Sequence, residues 1–244
     1  MLNFSTSLQQ HYEQTPDKIS VTMLFVGQPD RVVTYRDLIH GASGYVKTYT
    51  QNGIQPGDVI LLILQHDVDL LFAYFGAVLH GAIPSIMPFL TEKLLPDRYR
   101  TDLAELVSHT RPTAIVTYRE FEQEVRAALK PGEDSVKAVI ISDRAEGTAN
   151  RPCPPNFASF AGFHRKEEDV VLLQHSSGST GLQKGVALSH QSIFHHLDAY
   201  AESIRLAPDD VIISWLPLYH DMGLIACFLM PILRGIPVVQ MSPF

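Results

Sequence analysis

A chain of 244 residues, 45% hydrophobic and 18% charged, has the makeup of an ordinary globular protein and can bury a sizeable core as one large domain or two small ones. A formal net charge of -7 with no block rich in lysine and arginine argues against a broad nucleic-acid surface, so any phosphate it binds must be held locally. Cys153 and Cys227 lie too far apart in sequence to suggest a disulfide framework or a zinc site, and read as reduced cysteines of a cytosolic protein.

The N-terminus lacks the basic and long apolar regions of a signal peptide, and the longest apolar runs, residues 59–64 and 224–233, are too short to cross a bilayer. The expectation is a cytoplasmic protein with no membrane span. Residues 21–26 and 31–35 flank Gly27-Gln28-Pro29-Asp30 and predict two strands around a turn. Thr34 then caps a helix to about residue 51, with Leu38, Ile39, Ala42, Val46 and Tyr49 on one face. Residues 59–64, Val-Ile-Leu-Leu-Ile-Leu, have the length and type of a strand buried on both faces.

From there helices predicted over 67–80, 96–109 and 120–129 alternate with strands over 83–87, 113–117 and 136–141, which points to a parallel sheet covered on both sides. Residues 143–168, with Pro152, Pro154 and Pro155, interrupt the rhythm as a loop or, less well supported, a linker. A strand over 169–174, a helix from the Ser189 cap to about 205, a strand over 211–214, a helix over 221–230 and a strand over 236–240 complete the pattern. The fold class is therefore α/β, with mostly parallel sheets flanked by helices.

The most informative stretch is residues 174–186, Gln-His-Ser-Ser-Gly-Ser-Thr-Gly-Leu-Gln-Lys-Gly-Val, placed directly after an apolar strand. Glycines let the backbone turn tightly and bring its N–H groups to an anion, hydroxyls donate hydrogen bonds, and a lysine supplies a compact positive charge. The composition is that of a phosphate cradle rather than a plain flexible linker. It is neither a P-loop, because Lys184 is followed by Gly185 and preceded by Gln183, nor the Gly-x-Gly-x-x-Gly of a dinucleotide fold.

The run Ser176-Ser177-Gly178-Ser179-Thr180-Gly181-Leu182-Gln183-Lys184-Gly185 resembles the signature loop of the adenylate-forming superfamily: acyl-CoA synthetases, fatty acyl-AMP ligases and peptide-synthetase adenylation domains. Its one departure is Gln183 in place of the usual proline, which loosens the loop without removing a phosphate donor. Residues 33–38, Val-Thr-Tyr-Arg-Asp-Leu, and 75–84, Phe-Gly-Ala-Val-Leu-His-Gly-Ala-Ile-Pro, are similar to structural segments of the same superfamily. Residues 215–224, Trp-Leu-Pro-Leu-Tyr-His-Asp-Met-Gly-Leu, are similar to its acyl-pocket segment in the form found in fatty acyl-AMP ligases.

The resemblance implies attack of a carboxylate, fatty or otherwise apolar, on the α-phosphate of ATP, giving an acyl adenylate and pyrophosphate, with transfer to an acyl carrier protein or to coenzyme A. It assigns Ser176, Ser177, Ser179 and Thr180 as hydroxyl donors and Gly178 and Gly181 as backbone donors to the leaving phosphates. Lys184 either adds positive charge there or stays solvated. Magnesium is expected to bridge the phosphates through the nucleotide's own oxygens and water. His220 is implied beside the carboxylate as an orienting or gating group, or else is a helix-start histidine satisfied by backbone; Asp221 reads as the cap of the following helix. Trp215, Leu216 and Leu218 read as core, and His190, His195 and His196 lack the spacing of a helical zinc site.

By the same resemblance the ribose-binding aspartate, a later aromatic-Gly-x-Thr-Glu segment and the C-terminal domain with its catalytic lysine have no match before Phe244. The expectation is the N-terminal part of the large domain, unable to adenylate alone. Two other classes stay open: a non-catalytic half-enzyme or scaffold that needs a partner chain, and a different phosphate-handling enzyme.

Overall fold

Two four-stranded sheets and one two-stranded hairpin make up the β-structure of the computed structural model, which describes residues 3–89, 96–142, 156–176 and 184–242. The first sheet begins with β3 (Val59–Ile63), whose apolar run is buried as expected, and runs in the order β4 (Ile83–Ile86), β3, β5 (Ala114–Tyr118), β6 (Ala138–Ser142), all parallel. Parallel neighbours need crossovers, and helices supply them. Helix α3 (Val68–His80) is apolar all round, and every residue but Asp69 is buried beneath α2 (Tyr35–Gln51). On α4 (Pro96–Thr110), Arg100 makes a two-pronged ion pair with Glu124 of α5 (Glu122–Ala128), at 2.6 and 3.1 Å.

Helix α2 starts where the sequence says it should. Thr34 Oγ1 accepts from Asp37 N, and the Asp37 carboxylate accepts from Thr34 N, so two otherwise orphaned donors are satisfied reciprocally. An unexpected helix, α1 (Phe4–Gln14), uses the same device with Asn3 and Thr6, and Asn3 Nδ2 also donates to the Arg165 carbonyl at 3.0 Å.

The second sheet is closed by pairings distant in sequence. β1 (Ile19–Leu24) pairs antiparallel with β2 (Arg31–Thr34) and parallel with β10 (Val238–Met241), Val21 opposite Val238, and β9 (Ile212–Ser214) forms the other edge. The residues described within 156–168 contain two short 3-10 turns, Phe157–Ser159 and Ala161–His164; residues 143–155 lie outside the described residues. No helix among the described residues is long and apolar enough to cross a membrane.

Candidate functional site

Strand β7 (Val170–Ser176) carries the apolar run Val170-Val171-Leu172-Leu173 into Gln174, His175 and Ser176, and β8 (Lys184–Ser189) returns antiparallel to it. The sequence reading passes from the glycine-rich loop straight to the Ser189 cap and misses β8, although Val186 and Leu188 alternate as a strand should. The register sets Ser176 opposite Lys184, so both ends of the glycine-rich stretch are fixed side by side. Ser177, Gly178, Ser179, Thr180 and Gly181 lie outside the described residues, as do the side chains of Ser176 and Lys184.

Below that point the hairpin is anchored by His175. The ring is buried, with Nδ1 bonded to Ser85 Oγ of β4 at 2.9 Å and Nε2 to Thr110 Oγ1 at the end of α4 at 3.2 Å. Burial lowers its pKa, so it stands neutral, one nitrogen donating and the other accepting. Gly185 faces it across the ladder; a Cβ there would lie 3.3 Å from His175 Nε2 and 3.1 Å from Leu173 Cδ1, which leaves little room for any larger residue. Neither Gln174 nor His175 was singled out by the sequence reading. The available signal was two polar residues ending an otherwise apolar strand.

The second part of the site follows β9. The Pro217 carbonyl accepts from His220 N at 3.1 Å, the His220 carbonyl accepts from Leu224 N at 2.9 Å, and the Asp221 carboxylate accepts from Met222 N at 2.8 Å. Asp221 is therefore the cap expected of it, on a π-helix over Met222–Leu229 that passes into α7 (Met230–Leu233). Gly223 is a glycine for reasons of space: a Cβ would lie inside van der Waals contact of the Pro217 carbonyl oxygen and 3.1 Å from Leu216 Cβ. The His220 backbone is satisfied as in the helix-start reading, while its ring stays exposed beside Tyr219, ring centroids 4.8 Å apart.

The two parts meet. Gln174 Nε2 donates to the Tyr219 carbonyl at 2.9 Å, and a cleft of about 300 Å³ is lined by Gln174, His175, Val186 and Leu188 from the hairpin and by His220, Asp221 and Ile225 from the other side. The structure thus brings His220 to the base of the hairpin that carries the glycine-rich stretch. Val186, Leu188 and Ile225 give the cleft an apolar side, and Gln174, His175, His220 and Asp221 give it a polar one.

Other expectations change. Leu218 is buried, but Trp215 is 63% exposed, because the extended chain through β9 alternates, with Val211, Ile213 and Trp215 facing outward while Ser214 turns in. His190, on α6 (His190–Ser203), is a buried packing residue: its Nδ1 accepts from Phe4 N at 3.2 Å and its ring meets Phe4 edge-on. Burial, with a smaller contribution from Arg165, pushes its pKa down to about 4. Among the described residues no three His, Cys, Asp or Glu side chains gather as a metal site.

A family model described as AMP-binding enzyme matches residues 8–244. The chain is 28% identical over 228 residues to 4-coumarate–CoA ligase 2 of Petroselinum crispum, covering 85% of this chain and 40% of that protein. It is 26% identical over 271 residues to the medium-chain-fatty-acid–[acyl-carrier-protein] ligase TtuA of Teredinibacter turnerae, covering 96% and 40%. The solved structure of a fatty acyl-adenylate ligase from L. pneumophila, in complex with acyl adenylate and pyrophosphate, superposes with a TM-score of 0.77 at 26% identity, covering 99% of this chain and 40% of that one. The chain thus spans about 40% of the length of these relatives.

Proposed function

We propose that this chain, which belongs to the AMP-binding enzyme family, supplies the pyrophosphate side of a site where ATP activates a carboxylic acid. The acid's carboxylate oxygen bonds to the α-phosphorus, the bond from that phosphorus to the bridging oxygen breaks, and pyrophosphate leaves with the electron pair. The carboxylate is already ionised at neutral pH, so no general base is needed. What the site must supply is alignment of two anions and screening of their charge.

Ser176, Ser177, Ser179 and Thr180 take the hydroxyl contacts to the leaving phosphates, Gly178 and Gly181 the backbone contacts, and Lys184 a positive charge. His220 orients the acid. The observation that carries this reading is the cleft in which His220 faces the base of the β7–β8 hairpin. Magnesium would arrive as the counter-ion of the ATP phosphates; the described residues offer no ligand cluster for it, and no step is assigned to an ion held by protein.

The acid is a fatty acid on this reading, supported by the form of residues 215–224 and by the names of the T. turnerae and L. pneumophila proteins. The acyl group passes on to a carrier protein or to coenzyme A; the names of the two relatives carry one acceptor each. The test is ATP–pyrophosphate exchange by the polypeptide that contains this chain, with dodecanoate, 4-coumarate and an amino acid as candidates. Dodecanoate should support exchange, and Thr180→Val or Lys184→Met should reduce it on the order of 100-fold, the usual cost of losing one preorganised donor. Hydrolysis of ATP at the same rate without any acid would replace this reading with that of a simple nucleotidase.

A further inference from the structure

Residues 216–219 run between β9 and the π-helix with neither helix nor strand to satisfy their backbone, and they carry His220. Two buried glutamines supply what is missing. Gln240, fully buried on β10, donates from Nε2 to the Leu216 carbonyl at 3.1 Å, and Gln174 on β7 donates from Nε2 to the Tyr219 carbonyl at 2.9 Å. Ser214 Oγ accepts from Leu216 N at 3.1 Å. The segment is thus held at one end by the second sheet and at the other by the hairpin.

One half of the Gln240 amide is left over. Its Oε1 is buried with no partner, and so is Nε2 of His66, just past the end of β3. The two residues line the same small cavity, about 20 Å³, walled by Leu64, Met87 and Pro217 among others. That is room for one water. Burial lowers the pKa of the His66 ring, so it stands neutral. A neutral ring that donates from Nδ1 presents a lone pair at Nε2. His66 Nε2 and Gln240 Oε1 are then two acceptors facing one cavity, and a water, with two hydrogens to give, answers both.

We propose that a single buried water donates to His66 Nε2 and Gln240 Oε1, and that Gln240 so fixed, together with Gln174, is a positioning residue that holds residues 216–219 and sets where His220 stands. The value of a fixed His220 rests on the acid-activating reading above; the water and the clamp do not. A buried amide oxygen with no partner forfeits the hydrogen bonds it made in water, which is the reason to expect the cavity wet rather than dry.

The test is a crystal structure of this chain together with nitrogen-15 correlation spectra of its histidines. One water should lie within hydrogen-bond reach of both atoms, and His66 should be the neutral tautomer protonated at Nδ1. A dry cavity, or a His66 protonated at Nε2, overturns the hydration. Gln240→Met keeps the side-chain length and removes both polar atoms; the water should be lost and the His220 ring signals should shift or double. Should that variant fail to fold, Gln174→Met, which releases the other end of the segment, is read the same way for His220. Val125→Ala, a core change on α5 away from the segment, should leave the His220 signals where they are, which separates positioning from general loosening. His220 signals unchanged in a folded glutamine variant overturn the clamp. None of these readouts uses turnover, so a failure of ATP–pyrophosphate exchange would remove the proposed function and leave them standing.

Discussion

Gly223→Ala puts the packing around His220 to a direct test. Gly223 does not adopt a positive φ, so alanine's own backbone preference is no obstacle, and in a helix interior alanine is favoured over glycine by up to about 1 kcal/mol. Against this stands the new Cβ, 3.0 Å from the Pro217 carbonyl carbon, 3.1 Å from Leu216 Cβ and closer still to the Pro217 oxygen. Carbon atoms rest about 3.5–4.0 Å apart, so the segment must retreat by roughly 0.5–1 Å. Overpacking typically costs about 1–3 kcal/mol, and the upper end applies because the obstructing atoms are largely backbone. The net expectation is a loss of about 2 kcal/mol, or about 4–8 °C in melting temperature for a chain of this size. Thermal unfolding of the isolated chain measures it. In the polypeptide that contains this chain, a displacement of this size at His220 should lower acid-dependent exchange on the order of 100-fold. A variant as stable as the parent, with His220 unmoved, would refute the claim that Gly223 is required for space.

His190 should make the fold sensitive to acid. Its pKa falls from 6.5 to about 4 on folding, so the unfolded chain binds the extra proton first; stability is complete above pH 6.5 and drains away as pH falls towards 4, by about 3 kcal/mol in all. Burial shifts His66, His80 and His175 in the same direction, so urea unfolding of His190→Gln against the parent across this window isolates the His190 share as the lost part of the slope. Thr34→Ala removes the reciprocal cap of α2 and should cost about 1 kcal/mol, read as a fall of about 3 °C in melting temperature.

How much of this was legible depends on how local the signal is. The Thr34, Ser189 and Asp221 caps are single side chains bonding to the next turn, and each was read from its own neighbourhood and found in place. The buried run of β3 was equally plain, since four consecutive apolar residues need apolar neighbours on both faces. Sheet membership was not legible. Val21 meets Val238 across nearly the whole chain, and hydrophobic periodicity says that a strand is buried without saying beside what. Trp215 differs for a related reason: its size argues for the core, yet the alternation that carries Val211 and Ile213 to the exposed side carries Trp215 there too. At the candidate site, the glycine-rich stretch and His220 were visible as residues, whereas the parts that bring them together, His175 between Ser85 and Thr110 and the two glutamine clamps, are polar contacts over long sequence distances.

The helix after His220 shows why periodicity alone could not draw the cleft. The sequence predicts an α-helix over 221–230, but Met222–Leu229 is wound as a π-helix, and Met230 N donates to the Ile225 carbonyl, five residues back. Pro231 gives a physical cause. In an α-helix it would leave the Cys227 carbonyl without its donor, and its ring would clash with that carbonyl; a wider turn directs the carbonyl one residue further along. At its His220 end the helix keeps a four-residue step, since Leu224 N donates to the His220 carbonyl at 2.9 Å, and Leu224 itself is fully buried in the core. Ile225, whose carbonyl takes the five-residue bond from Met230 N, is the helix residue that joins His220 and Asp221 on the cleft wall. The stretch between the glycine that opens the helix and the proline that closes it thus changes from a four-residue to a five-residue step, a change that hydrophobic periodicity does not register.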